Sequence, residues 1–201
     1  MMKRMFAHKA SVAAVLAMLT IAGALAAGVS VRFEEDASPF PSNQLTTVDF
    51  KNVTYRRVNL PKPDCTVEVS ACGDIDVINT LDGFSTQPRI TVPFDGDIDL
   101  TTVSSDTVYL VNVGDTSNYQ GVGETVGINQ VLWDPDTRTL VFEPDAMLAE
   151  HSRYVLVVTD GVKDATGAKL KKSDESSSGQ NNSDTRDRWD RRYFGAYWRK
   201  D

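Results

Sequence analysis

Cysteine and histidine are nearly missing from this chain: 201 residues hold only Cys65, Cys72, His8 and His151. His8 falls in the stretch read below as a cleaved signal, and two thiols with the one remaining imidazole, His151, are too few for the four-ligand sets of structural zinc sites, so metal ligation by the cysteines is disfavoured. Also missing is G-x-S-x-G, the strained turn that raises a serine nucleophile in α/β-hydrolases. His151 sits between Glu150 and Ser152, and adjacent residues do not meet in the geometry of a catalytic triad, so it reads as a loop residue. Gly121-Val122-Gly123 lacks the spacing that cradles a phosphate. Basic residues are outnumbered, 21 Lys and Arg against 28 Asp and Glu, for a formal charge of −7. An acidic surface repels phosphate backbones and anionic membranes, which argues against nucleic acid as a partner. Neither a catalytic set nor a cofactor site is expected.

What is present begins with an export signal. Lys3, Arg4 and Lys9 precede an apolar run from Ala10 to Ala27, and Ala24-Leu25-Ala26 places small residues where signal peptidase reads. Residues 1–26 are therefore expected to be a cleaved signal peptide, leaving a secreted or periplasmic product without an integral membrane span. The alternative is a retained anchor, since the run approaches the ~18 to 20 residues of a spanning helix. Cleavage removes three positive charges, taking the formal charge from −7 to −10. In an oxidising compartment Cys65 and Cys72 are expected to form one disulfide closing a short loop.

Residues 27–84 read as an extended leader carrying that loop, because Pro39, Pro41, Pro61 and Pro63 oppose helix and interrupt sheet pairing. The texture then changes. Ile90, Val92 and Phe94 alternate with Thr91 and Pro93, the mark of a half-buried strand, and Pro93 points to an edge or a bulge. Ile98 to Val103 is a possible short element. Val108 to Val113 forms another strand, with Tyr109, Val111 and Val113 opposite Val108 and Leu110. Asn129 to Trp133, the turn Asp134-Pro135-Asp136 and Thr139 to Glu143 make a hairpin. A helical turn is expected in Pro144 to Glu150. Tyr154 to Thr159 is β-branched and aromatic throughout, as a strand buried on both faces would be.

Short strands at this spacing, with no long helical period after the signal, predict an all-β sandwich over residues 85–172. Asp95, Asp97 and Asp99 raise the question of calcium. A calcium loop needs six or more oxygen ligands, which this stretch does not supply, and turn chemistry explains it better. From Ser173 to Asp190 there is no aliphatic residue, so residues 173–201 are expected to be a disordered tail. Its end, with Tyr193, Phe194, Tyr197 and Trp198 among Arg and Lys, is either a docking peptide or an end that belongs to no fold.

The stretch from Ser85 to Asp99, together with Leu148, Tyr154 to Val158 and Asp164-Ala165-Thr166-Gly167, resembles bacterial Ig-like domains of the S-layer type. Pro39 to Gln44, Val58 to Cys65 and Leu81 to Arg89 are similar to the N-terminal region of secreted bacterial lipases and esterases, where an Ig-like domain precedes an α/β-hydrolase domain. The resemblance covers Phe40 to Leu170. It implies an immunoglobulin-like Greek-key sandwich and an accessory or interaction role beside a hydrolase catalytic domain or a cell-envelope component. It transfers no catalytic residue, because that family's nucleophile lies in the domain expected after Leu170. The chain is then either a stand-alone remnant or one whose reading frame leaves the family after about Lys172. A polysaccharide- or envelope-binding module is the competing reading, and would require Tyr109, Tyr119, Trp133 and Tyr154 to form an exposed platform.

Overall fold

The computed structural model describes residues 28–34 and 37–171, and the backbone of 194–199. The expected signal peptide and residues 172–193 of the expected tail lie outside the described residues. Among the described residues no helix is long and apolar enough to cross a membrane.

Two layers enclose one core, their strands paired antiparallel except where β12 meets β3. The smaller layer holds β4 (Ile90–Pro93), β9 (Thr139–Pro144) and β8 (Ile128–Asp134) in the order β4-β9-β8. The larger holds β3 (Phe84–Ser85), β12 (Phe194–Arg199), β10 (Ser152–Val158), β6 (Val108–Asp115) and β7 (Thr125–Val126), in the order β3-β12-β10-β6-β7. A separate pair joins β5 (Ile98–Asp99) to β11 (Lys163–Asp164). The fold is an all-β, immunoglobulin-like sandwich.

Alternation along the strands builds the core. Val108, Leu110 and Asn112 of β6 are buried while Tyr109, Val111 and Val113 are only partly so. Leu140 and Phe142 of β9 meet Val92 and Ile90 across the ladder, and all four are buried. Burying each such side chain contributes about 1.5–3 kcal/mol relative to leaving it in water. In β10 the run Tyr154 to Val157 is buried without alternation, as expected for a strand covered on both faces. The β8–β9 turn is tied by Asp134, whose Oδ1 accepts the Asp136 N–H at 3.0 Å and whose Oδ2 accepts the Thr137 hydroxyl at 2.8 Å.

Pro93 does stand on an edge strand, and the leader exploits it. The Pro93 carbonyl accepts the Arg32 N–H at 2.9 Å, while Phe40 and Thr91 exchange both backbone hydrogen bonds at 2.9–3.0 Å. Residues 28–34 and 37–40 thereby cover the outer edge of β4 discontinuously, a task the missing Pro93 N–H does not obstruct.

The leader differs from a purely extended segment. Asn43–Leu45 is a 3-10 turn, β1 (Thr46–Val48) pairs antiparallel with β2 (Arg56–Val58), and α1 spans Val69–Ile78. Only Cys72 of α1 is buried, so the helix has no broad apolar face for a period to reveal. Local chemistry forms it instead: Asp64 Oδ1 accepts the Thr66 N–H and hydroxyl at 2.9 and 2.7 Å, bending the chain into the first turn. Pro144 to Glu150 also departs from expectation, running as bends rather than as a helical turn. The expected disorder of residues 173–201 meets a described element only at β12, whose backbone runs as a strand between β3 and β10.

Candidate functional site

The disulfide joins Cys65 to Cys72 across a Cα separation of 5.7 Å, pinning the segment before α1 to its first turn. At the other end, the Asn79 side chain accepts the Leu60 N–H at 2.6 Å and donates to the Leu60 carbonyl at 3.1 Å. Lys62 pairs with Asp76 at 2.6 Å, an exposed contact of small energetic weight. Thus α1 lies clamped along Leu60 to Pro63. Beneath it, Val58 is fully buried in the sandwich core and Leu45, Leu60 and Leu81 pack against that core. The Thr54 hydroxyl, buried, donates to the Asp82 carbonyl at 2.5 Å.

This anchored leader turns much apolar surface outward. Among the described residues, eight of the fourteen exposed large hydrophobic side chains fall between positions 48 and 78: Val48, Phe50, Val53, Tyr55, Val67, Val69, Val77 and Ile78. Phe50, at 81% exposure, tops the β1–β2 turn, and Val69 and Val77 are 70% and 68% exposed on α1. Scattered single residues would need no explanation, but eight within one anchored unit make the leader the place to look for an interaction surface. Charge on α1 and its approach is one-sided, with Asp64, Glu68, Asp74 and Asp76 against Lys62. Neither residue class could be found by a search for catalytic motifs. The signal available in the sequence was the apolar content of Val67 to Ile78 without a partner period.

Residues that could carry chemistry are placed apart. His151 has φ of 52° and its carbonyl accepts the Thr116 N–H at 2.9 Å; it lies near Asp115 and helps hold that carboxyl below its usual range, behind the larger effect of the Ser117 N–H. The neighbouring Ser152 is buried and donates its hydroxyl to the Glu150 carbonyl at 3.0 Å. Asp95 accepts from the Ser30 N–H and hydroxyl at 2.7 and 2.8 Å, while Asp99 accepts from Thr101 and caps a 3-10 turn. Asp97 faces Arg138 at 3.8 Å. The three carboxylates thus have separate partners, Asp99 alone capping its own turn, and among the described residues no three Cys, His, Asp or Glu side chains are placed to hold a metal ion. An open groove of about 760 Å³ between the leader and the β8–β9 turn is lined by residues such as Arg32, Asp95, Asp136 and Arg138. It brings none of the chemistry-bearing residues above together except Asp95.

The four aromatic residues required for a binding platform do not share one. Tyr154 is buried, Trp133 is half-buried against Phe94 with ring centroids 6.1 Å apart, Tyr109 is half-buried on the other sheet, and Tyr119 alone is exposed. Tyr154 has a structural task that its sequence context did not disclose. Its hydroxyl accepts the Ala149 N–H at 2.9 Å and lies 3.4 Å from Asn112 Nδ2, closing the loop into β10 as a tyrosine corner does in immunoglobulin-type sandwiches. Burial raises the Tyr154 pKa, the Ala149 bond partly offsets it, and the charge of Glu124 adds to it. Asp164 closes the loop after β11: its Oδ1 accepts from the Thr166 hydroxyl, Thr166 N–H and Ala168 N–H at 2.6 to 2.9 Å, with Gly167 at φ +84°. The Thr166 hydroxyl bond holds that carboxyl below its ordinary value.

A family profile described as "Bacterial Ig-like domain" matches residues 74–178, just over half of the chain. No curated protein matches. Among solved structures, the N-terminal part of the bacterial S-layer protein SbsC is 16% identical, with a TM-score of 0.35; the match covers 54% of this chain and 26% of that one. The S-layer protein rSbsC is 15% identical at the same TM-score, over 54% of this chain and 15% of that one. The chain spans 26% and 15% of the length of these two solved chains.

Proposed function

Because this chain belongs to the bacterial Ig-like domain family, we propose that it is a non-catalytic accessory module, working outside the cytoplasm and ordinarily placed ahead of a secreted lipase or esterase catalytic domain. The observation that carries the reading is the unequal treatment of apolar side chains. The sandwich buries its own, while the leader, firmly anchored, presents Phe50, Val69 and Val77 to solvent. A surface of that kind lowers its free energy by covering itself, at roughly 25 cal/mol per Å² of apolar area removed from water. Export is supported by the Cys65–Cys72 disulfide, a bond that persists in oxidising compartments.

The partner in this reading is the catalytic domain, and the leader is the face it covers. The test begins with the coding sequence just downstream, where a G-x-S-x-G-containing domain in another frame or an adjoining gene is expected. That domain, purified, should bind the chain, and Phe50→Ser with Val69→Ser and Val77→Ser should weaken binding at least tenfold. The chain by itself should not turn over short or long acyl esters. Turnover that survives purification and disappears on one serine substitution would overturn the module reading, as would equal binding by the triple variant.

A further inference from the structure

The larger sheet is completed by a strand that arrives from far along the chain. β12 pairs antiparallel with β10, with Arg153 opposite Tyr197, Tyr154 opposite Ala196, Val155 opposite Gly195 and Leu156 opposite Phe194. It also pairs parallel with β3, Trp198 opposite Phe84 and Arg199 opposite Ser85. Among the described strands β3 has no other neighbour in its sheet. Without β12, therefore, β3 would stand unpaired and the edge of β10 would lie open along a run whose side chains, Tyr154 to Val157, are buried. An open edge beside buried side chains is a template for another strand.

The occupant is weakly suited to its place. Gly195 and Ala196 supply two of the four residues facing β10, and neither offers side-chain surface beyond a methyl group. It is also far removed in sequence. The 22 residues 172–193 separate it from Lys171, a length that can span about 70 Å when extended. A domain of this size is only about 35–40 Å across by the usual scaling. The tether is thus long enough to carry Phe194–Arg199 into the same place in a neighbouring molecule, where it would make the same pairs.

We propose that the slot between β3 and β10 is a strand-acceptor site, and that it takes Phe194–Arg199 from a second copy of this chain, giving a strand-exchanged dimer. Tethering in the same molecule gives an effective concentration on the order of a millimolar. The self-filled monomer therefore dominates at micromolar concentrations, and exchange sets in as the protein approaches the millimolar range.

Two measurements on the full chain test this. In Ala196→Pro the strand loses a ladder donor, which leaves the slot open in an otherwise intact protein. A fluorescent peptide spanning Arg191 to Asp201 is the probe. The variant should bind it at least tenfold more tightly than the unsubstituted chain, whose own strand competes. Light scattering after size exclusion should show the unsubstituted chain passing from monomer to dimer between about 20 μM and 1 mM, with Ala196→Pro remaining monomeric. Should Ala196→Pro fail to fold, Ala196→Val serves: a β-branched residue strengthens the strand and should weaken peptide binding below that of the unsubstituted chain. Peptide binding that is equal in all variants, or absent, overturns the slot. A chain that stays monomeric at 1 mM while the open variant binds the peptide overturns the second copy as its occupant.

Discussion

The leader and the sandwich spend similar kinds of residue in opposite ways. Fifteen of the eighteen buried hydrophobic residues lie between Ile90 and Val162, whereas the leader up to residue 82 contributes Val58 and Cys72 to the same group. Yet the leader is ordered, held by a disulfide, by the paired amide of Asn79 on Leu60, and by backbone bonds to β4. Order without burial is the signature of a surface shaped for something else, whereas order with burial needs no partner. The difference teaches where to look for function: in the part whose shape is fixed by clamps rather than by a core.

The sharpest way to break the comparison is to remove a ring from each side. Phe142 is fully buried, and Phe142→Ala should destabilise by about 3–5 kcal/mol through lost transfer and a cavity. Phe50→Ala should change stability by less than about 0.5 kcal/mol. Urea unfolding of the two variants measures both, and a large loss at Phe50 would place that ring in the fold. Next in size is the clamp. Replacing Cys65 and Cys72 by Ser should cost about 2–3 kcal/mol by the loop-entropy model, with amide exchange accelerating in α1 before it does in β9 or β10. Uniform acceleration would show that leader and sandwich unfold as one unit.

Tyr154→Phe keeps the ring and removes the hydroxyl that the Ala149 N–H donates to. The expected loss is about 0.5–1.5 kcal/mol, the net worth of one part-buried hydrogen bond, and thermal unfolding reads it. The smallest effect is that of acid. Asp64, Asp115, Asp134, Asp160 and Asp164 all have pKa values lowered from the ordinary 3.8, Asp160 chiefly by the Lys169 ammonium and the others chiefly by hydrogen bonds to their own loops. A lowered folded pKa means that the native state binds fewer protons, so this stabilisation is present above pH 3.8 and fades as the pH falls through the lowered values. Four of the five lie in the sandwich, so acid should loosen its loops before it affects α1. A chain whose stability is unchanged from pH 5 to pH 2 would contradict the assignment.

Strand alternation made the sandwich legible: Ile90, Val92 and Phe94, Val108 and Leu110, Leu140 and Phe142 each declare a buried face by a period of two. The edge position of Pro93 followed from its missing N–H, and the bridge from the nearness of two cysteines in a chain expected to be exported. Two features escaped for physical reasons. α1 buries Cys72 and little else, so no apolar stripe announces it, and the turn at Asp64 that starts it is a local hydrogen-bond event. The Tyr154 corner depends on a contact across a loop, which periodicity does not encode. The proposed docking surface could not be read from pattern at all, because exposed valines at 67, 69 and 77 look the same on paper as buried ones.

Hydrogen exchange on the full chain, with and without the catalytic domain proposed to lie downstream, tests the central claim most directly. The account predicts that binding protects amides in Val48 to Tyr55 and Val67 to Ile78 and leaves β8 and β9 unchanged. Protection confined to the β8–β9 face, or none in the leader while the complex forms, would contradict it.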